Sequence, residues 1–207
     1  MIGDRRSAIV DRPGPKAQSP DSLARWLSII AHPFVMVGVM VGTAAAARQS
    51  RAAAVRSVTL VVLFTVVPLA VLMIRQVRRG AWENVDASNR RERPMLYFVM
   101  AVALVVLLAY VMVLPSQSFM VRGVAATMGM LAVCAVATRW IKVSLHMAFA
   151  ALAATTLALM GSNVGYLLVF VLPALAWSRL VLKRHSRLEL GLGTFAGVVA
   201  GIAIRYW

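Results

Sequence analysis

MLYFVMAVALVVLLAYVMVL, residues Met95–Leu114, is a stretch of twenty residues without a formal charge. About 20 predominantly apolar residues of helix cross the hydrocarbon core of a bilayer, so this stretch alone predicts a transmembrane helix. Outward from it lie six more apolar runs: Leu27–Ala47, Ser57–Ile74, Phe119–Thr138, Val143–Met160, Val164–Trp177 and Leu190–Ile204. The last two are the shortest, which leaves six spans as the alternative to seven. The fold class expected is all-α, a polytopic transmembrane bundle occupying residues 27–207.

Composition agrees. The 207 residues are 61% hydrophobic, with a mean hydropathy of +0.80. A soluble domain is roughly 45–50% apolar. Pro33 and Pro68 fall inside runs and are expected to kink them. Gly193-x-x-x-Gly197-x-x-x-Gly201 in the last run forms a ladder suited to close helix approach. Trp140, Trp177, Tyr206 and Trp207 near run ends read as interfacial anchors. Residues 1–26, with Pro13, Gly14, Pro15 and Pro20, read as a polar, mobile tail. Their length before the first apolar run argues against a signal peptide. The single cysteine, Cys134, lies in an apolar run and reads as packing, and no Cys/His spacing for a metal is present.

The net charge is +15. Its basic residues flank apolar runs and no aromatic-interleaved basic module exists, so anionic lipids rather than nucleic acid are the expected partners. Polar clusters follow the second, fourth and sixth runs, and by parity all three share the N-terminal face. Lysine and arginine number seventeen on that face and five on the other. Positive residues favour the cytoplasmic side, so that face is expected in the cytoplasm of a cell-membrane protein.

The third cluster is Ser178–Glu189. An arginine, Arg179, is followed by His185 and, one helical turn further, by Glu189. A carboxylate bonded to one imidazole nitrogen fixes the tautomer and leaves the other nitrogen to attack. The fork of Arg179 matches phosphate oxygens. The second cluster supplies Lys142, Ser144 and His146: a cation, a hydroxyl donor, and a second histidine able to protonate a leaving oxygen. The first, Glu83–Pro94, supplies Arg90, Arg91 and Arg93-Pro94 at an expected helix start, where exposed amides attract anions. His32, in the first run, is expected to bond a neighbouring carbonyl.

These clusters resemble the type-2 phosphatidic acid phosphatase superfamily, whose motifs are K-x6-R-P, P-S-G-H and S-R-x5-H-x3-D. Here the third reads S-R-x5-H-x3-E over Ser178, Arg179, His185 and Glu189; the second reads V-S-L-H, keeping Ser144 and His146; the first keeps Arg93-Pro94. The resemblance implies metal-free, cofactor-free hydrolysis of a lipid phosphate. His185 would be the nucleophile, His146 the acid and Glu189 the orienting carboxylate, with Arg93, Arg179 and Ser144 on the phosphoryl oxygens. Asp86 stands at the motif lysine, a reversal of charge that Arg90 or Lys142 would have to offset. Val143 and Leu145 replace the proline and glycine of motif two.

Two other functions fit parts of the pattern. Asn84-x-Asp86 before Arg93-Pro94 faintly resembles the aspartate-rich motif of membrane prenyltransferases, which bind magnesium diphosphate through two acidic motifs; a second is absent from this sequence. Asp86 also fits a degenerate, non-catalytic lipid binder.

Overall fold

The computed structural model describes residues 20–83, 89–114 and 118–206. Asn84, Asp86, residues 1–19 and Trp207 lie outside them, and with them the charge reversal expected at Asp86 and the proposed magnesium motif.

Nine α-helices make up the described residues, with no strand among them. They are α1 (Pro20–Ile30), α2 (Pro33–Arg48), α3 (Arg51–Val61), α4 (Val67–Arg78), α5 (Arg93–Met112), α6 (Ser118–Ala137), α7 (Leu145–Leu159), α8 (Asn163–Val181) and α9 (Arg187–Tyr206). Helix α1 starts at Pro20, so residues 20–26 are helical rather than part of the expected tail.

The two prolines act differently. Pro33 bends the first run by 42° between α1 and α2. The residue before a proline is driven out of helical geometry, and His32 is accordingly extended and caps α2, its Nδ1 accepting from the Phe34 amide at 3.2 Å. Pro68 leaves its helix continuous. A π-turn at Val62–Val66 joins α3 to α4 into one rod, Arg51–Arg78, and absorbs the missing amide donor.

Five of these helices or rods are long and apolar enough to cross a membrane, or six when the bent α1–α2 pair is one span. The lengths are distributed otherwise than the runs suggest. Helices α8 and α9 reach 19 and 20 residues, because their polar ends extend the helix beyond the apolar run. The short one is α7, from the fifth run, with 15 residues. It is about 22 Å long, below what a lone spanning helix needs. Twelve of its residues are buried, so protein rather than lipid surrounds it.

Helix α9 makes this burial close. A methyl on Gly193 would collide with the Ser144 carbonyl, one on Gly197 with that of Ala148, and one on Gly201 with the Thr155 side chain. The contacts advance together along both chains, so α7 and α9 run parallel and the glycine ladder is their seam. Helix α5 begins beside the start of α7, where Arg93 bonds the Val143 carbonyl, and α2 begins where His32 meets His146. The starts of α2, α5, α7 and α9 therefore share one end of the bundle, as parity predicts. Trp140, Trp177 and Tyr206 are exposed.

Candidate active site

Helix α9 opens with a capping box. The Ser186 hydroxyl accepts the Glu189 amide at 3.3 Å, and Glu189 Oε2 accepts the Ser186 amide at 3.0 Å. The same Oε2 lies 2.9 Å from His185 Nδ1. The helix start thus holds the carboxylate that orients the ring. An ionised carboxylate only accepts, so this bond favours the tautomer with the proton on Nδ1 and the lone pair on Nε2. The His185 side chain is 4% exposed. Burial, and then the charges of Arg179, Arg93 and Lys142, pull its pKa down to about 2, although a hydrogen bond to the Lys142 backbone favours the protonated form. The ring is neutral at physiological pH.

Helix α8 ends beside it with Arg179, 2% exposed. A buried guanidinium needs partners, and one comes from the far end of the chain: Arg179 donates to the Ser28 hydroxyl of α1. Its neighbour Ser178 donates to the Ala24 carbonyl of α1 at 2.6 Å. Arg93, also buried, donates to the Val143 carbonyl at the start of α7 and lies beside the Tyr97 hydroxyl, itself 3.3 Å from the Thr138 hydroxyl. Lys142 Nζ donates to the Arg184 carbonyl at 2.7 Å, and burial lowers its pKa.

Ser144 caps α7, its Oγ accepting the Met147 amide at 3.5 Å while its own amide donates to the Glu189 carbonyl at 3.1 Å. That backbone bond sets the start of α7 against the start of α9. His146 follows on α7, edge-on to His32 with ring centroids 5.3 Å apart. Its Nε2 is buried and has no hydrogen-bond partner among the described residues. The charges of Arg179 and Arg93 both reach it.

The structure therefore brings His185, Glu189, His146, Arg93, Arg179, Lys142 and Ser144 to one end of the bundle. Arg90 stands apart, exposed on the 3₁₀ turn Arg90–Glu92. Sequence reasoning missed Ser28 and Ala24, which hold the Arg179 and Ser178 side chains, Tyr97 beside Arg93, and the placing of His32 against His146. The pattern Ser186-x-x-Glu189 was readable as a capping box, as was Asn89-x-x-Glu92, whose Glu92 also accepts the Glu83 amide at 3.1 Å. Among the described residues no three His, Cys, Asp or Glu side chains gather as a metal-binding group.

No family model matches this chain, and no curated protein or solved structure is detectably similar to it.

Proposed function

We propose that the protein is an integral-membrane phosphatase that hydrolyses a lipid phosphate, such as a polyprenyl or isoprenoid phosphate, a polyprenyl-linked phosphosugar or a phosphatidate-type lipid, through a phospho-histidine. The observation that carries this reading is the His185–Glu189 pair, a neutral, oriented imidazole among buried cations. In the tautomer with its proton on Nδ1, His185 Nε2 attacks phosphorus; the P–N bond forms as the ester P–O bond breaks. The phosphate monoanion brings in a proton, which His146 takes up and passes to the leaving oxygen. Water then attacks phosphorus, returns a proton to His146 and releases phosphate and free His185. Arg93, Arg179 and Lys142 offset the growing phosphoryl charge. The basic face containing this end is assigned to the cytoplasm.

One observation favours a second reading, a non-catalytic lipid binder. One nitrogen of each guanidinium, in Arg93 and Arg179, is already bonded to a protein partner, Val143 or Ser28, so a phosphate has to engage the remaining donors or displace these bonds. Phosphate release by purified protein in phosphatidylcholine nanodiscs, with and without EDTA, tests both. The phosphatase releases phosphate in EDTA, and His185→Ala abolishes it. Release that survives His185→Ala would sink the histidine mechanism; no release from any of the named lipid phosphates favours the binder.

A further inference from the structure

Beneath the polar end lies a deep apolar cavity between α2, the α3–α4 rod, α5, α6 and α7. His32 and His146 line its upper end, and Leu107, Phe119 and Thr156 lie at the far end. Along α7 the lining runs from Leu145 to Thr156, and along α5 from Leu96 to Leu107. Eleven residues of helix rise about 16 Å, close to one leaflet of a ~30 Å hydrocarbon core.

We infer that this cavity takes the hydrocarbon tail of a single-chain lipid phosphate, head group at His146, and that its depth selects the chain length. The head-group half of this inference rests on the phosphatase reading; the tail half rests on the cavity. Two independent observations point to the occupant. The lining is almost wholly aliphatic and aromatic, which suits a hydrocarbon and excludes a polar ligand. The buried His146 Nε2, without a partner among the described residues, stands at the one end where cations gather. A tail with a charged head fits in one orientation only. A depth of about 16 Å accommodates roughly a dozen carbons of a fully extended chain. A much longer chain has to fold back or leave the cavity.

Gly123 on α6 provides the lever. It lines the cavity, and a Cβ there would meet no heavy atom within 4 Å. Helix α6 runs with Phe119 at the far end and Leu131 near the histidines, so Gly123 lies about 12 Å below the upper end. A leucine at Gly123 cuts the depth without disturbing the backbone. Thr127 lines the same wall one turn closer to the head group. Gly129, exposed on the same helix, is outside the lining and also meets nothing within 4 Å. It supplies the matched control.

The experiment is competition of octyl, dodecyl and octadecyl phosphate for the purified protein in phosphatidylcholine nanodiscs, read by displacement of spin-labelled dodecyl phosphate. The wild type is expected to prefer dodecyl over octadecyl phosphate by about ten-fold. Gly123→Leu loses dodecyl by a similar factor and keeps octyl, Thr127→Leu weakens both, and Gly129→Leu changes neither. Equal binding of all three lengths, or an unchanged profile in folded Gly123→Leu, overturns the inference. Phosphate release is measured on the same samples. Binding with this profile but no release removes the phosphatase reading and leaves the tail cavity; release without the profile does the reverse.

Discussion

The two ends of the bundle are built by opposite rules. At the far end, polar groups find partners nearby in the chain: Ser50 caps α3 through the Ala53 amide, and the Ser57 hydroxyl donates to Gln49 Oε1 at 2.9 Å. The arginines there, Arg48, Arg51 and Arg56, are exposed. At the histidine end the bonds join residues far apart in sequence: Arg93 to Val143, Lys142 to Arg184, Arg179 to Ser28 and Ser178 to Ala24. Exposed charges at an interface are cheap and mark orientation. Buried ones are costly, and a fold that gathers several of them from distant helices has a use for them.

That contrast is open to test, beginning where the effect is largest. Arg179→Ala is expected to lower phosphate release about 10³-fold, because it removes a buried cation and strands the Ser28 hydroxyl. A loss of less than about ten-fold would place Arg179 with the far-end arginines. Glu189→Gln keeps an oxygen for the Ser186 amide and so keeps the cap, but loses the carboxylate that orients His185. About a 10²-fold fall in turnover with an unchanged melting temperature is expected.

Acid stability sharpens the comparison further. Below pH ~6.5 the unfolded chain protonates His185, while the folded chain keeps it neutral down to about 2. Stability therefore falls as pH drops through that window, by up to ~1.4 kcal/mol per unit, and is independent of this group above it. His185→Gln should flatten the slope of melting temperature against pH. The smallest effect belongs to the far end: Arg51→Ala should shift stability by no more than ~0.5 kcal/mol and leave turnover unchanged.

Hydropathy made the helical membrane architecture readable, and the spacing of His185 and Glu189 announced their bond. What escaped was of two kinds. Hydropathy windows measure how apolar a segment is, not whether lipid or protein covers it, so α7 looked like an ordinary span and its burial behind α9 was invisible. The glycine ladder held the clue, since three glycines on one face imply a neighbour pressed against them. Serine in an apolar run carries no signal either. Nothing at Ser28 distinguishes it from a solvated or packing residue until α8 brings Arg179 to it. The break at His32-Pro33 was foreseeable; its result, an imidazole set edge-on to His146, depends on tertiary packing.

The stitches between α1 and α8 tie together segments about 150 residues apart in the chain. A ribosome must therefore add about 150 residues after Ser28 before Arg179 can settle on it, and α9 must follow before Glu189 can steady His185. The polar cluster can assemble only once α9 has emerged, so nascent chains that stop short of it lack the oriented imidazole.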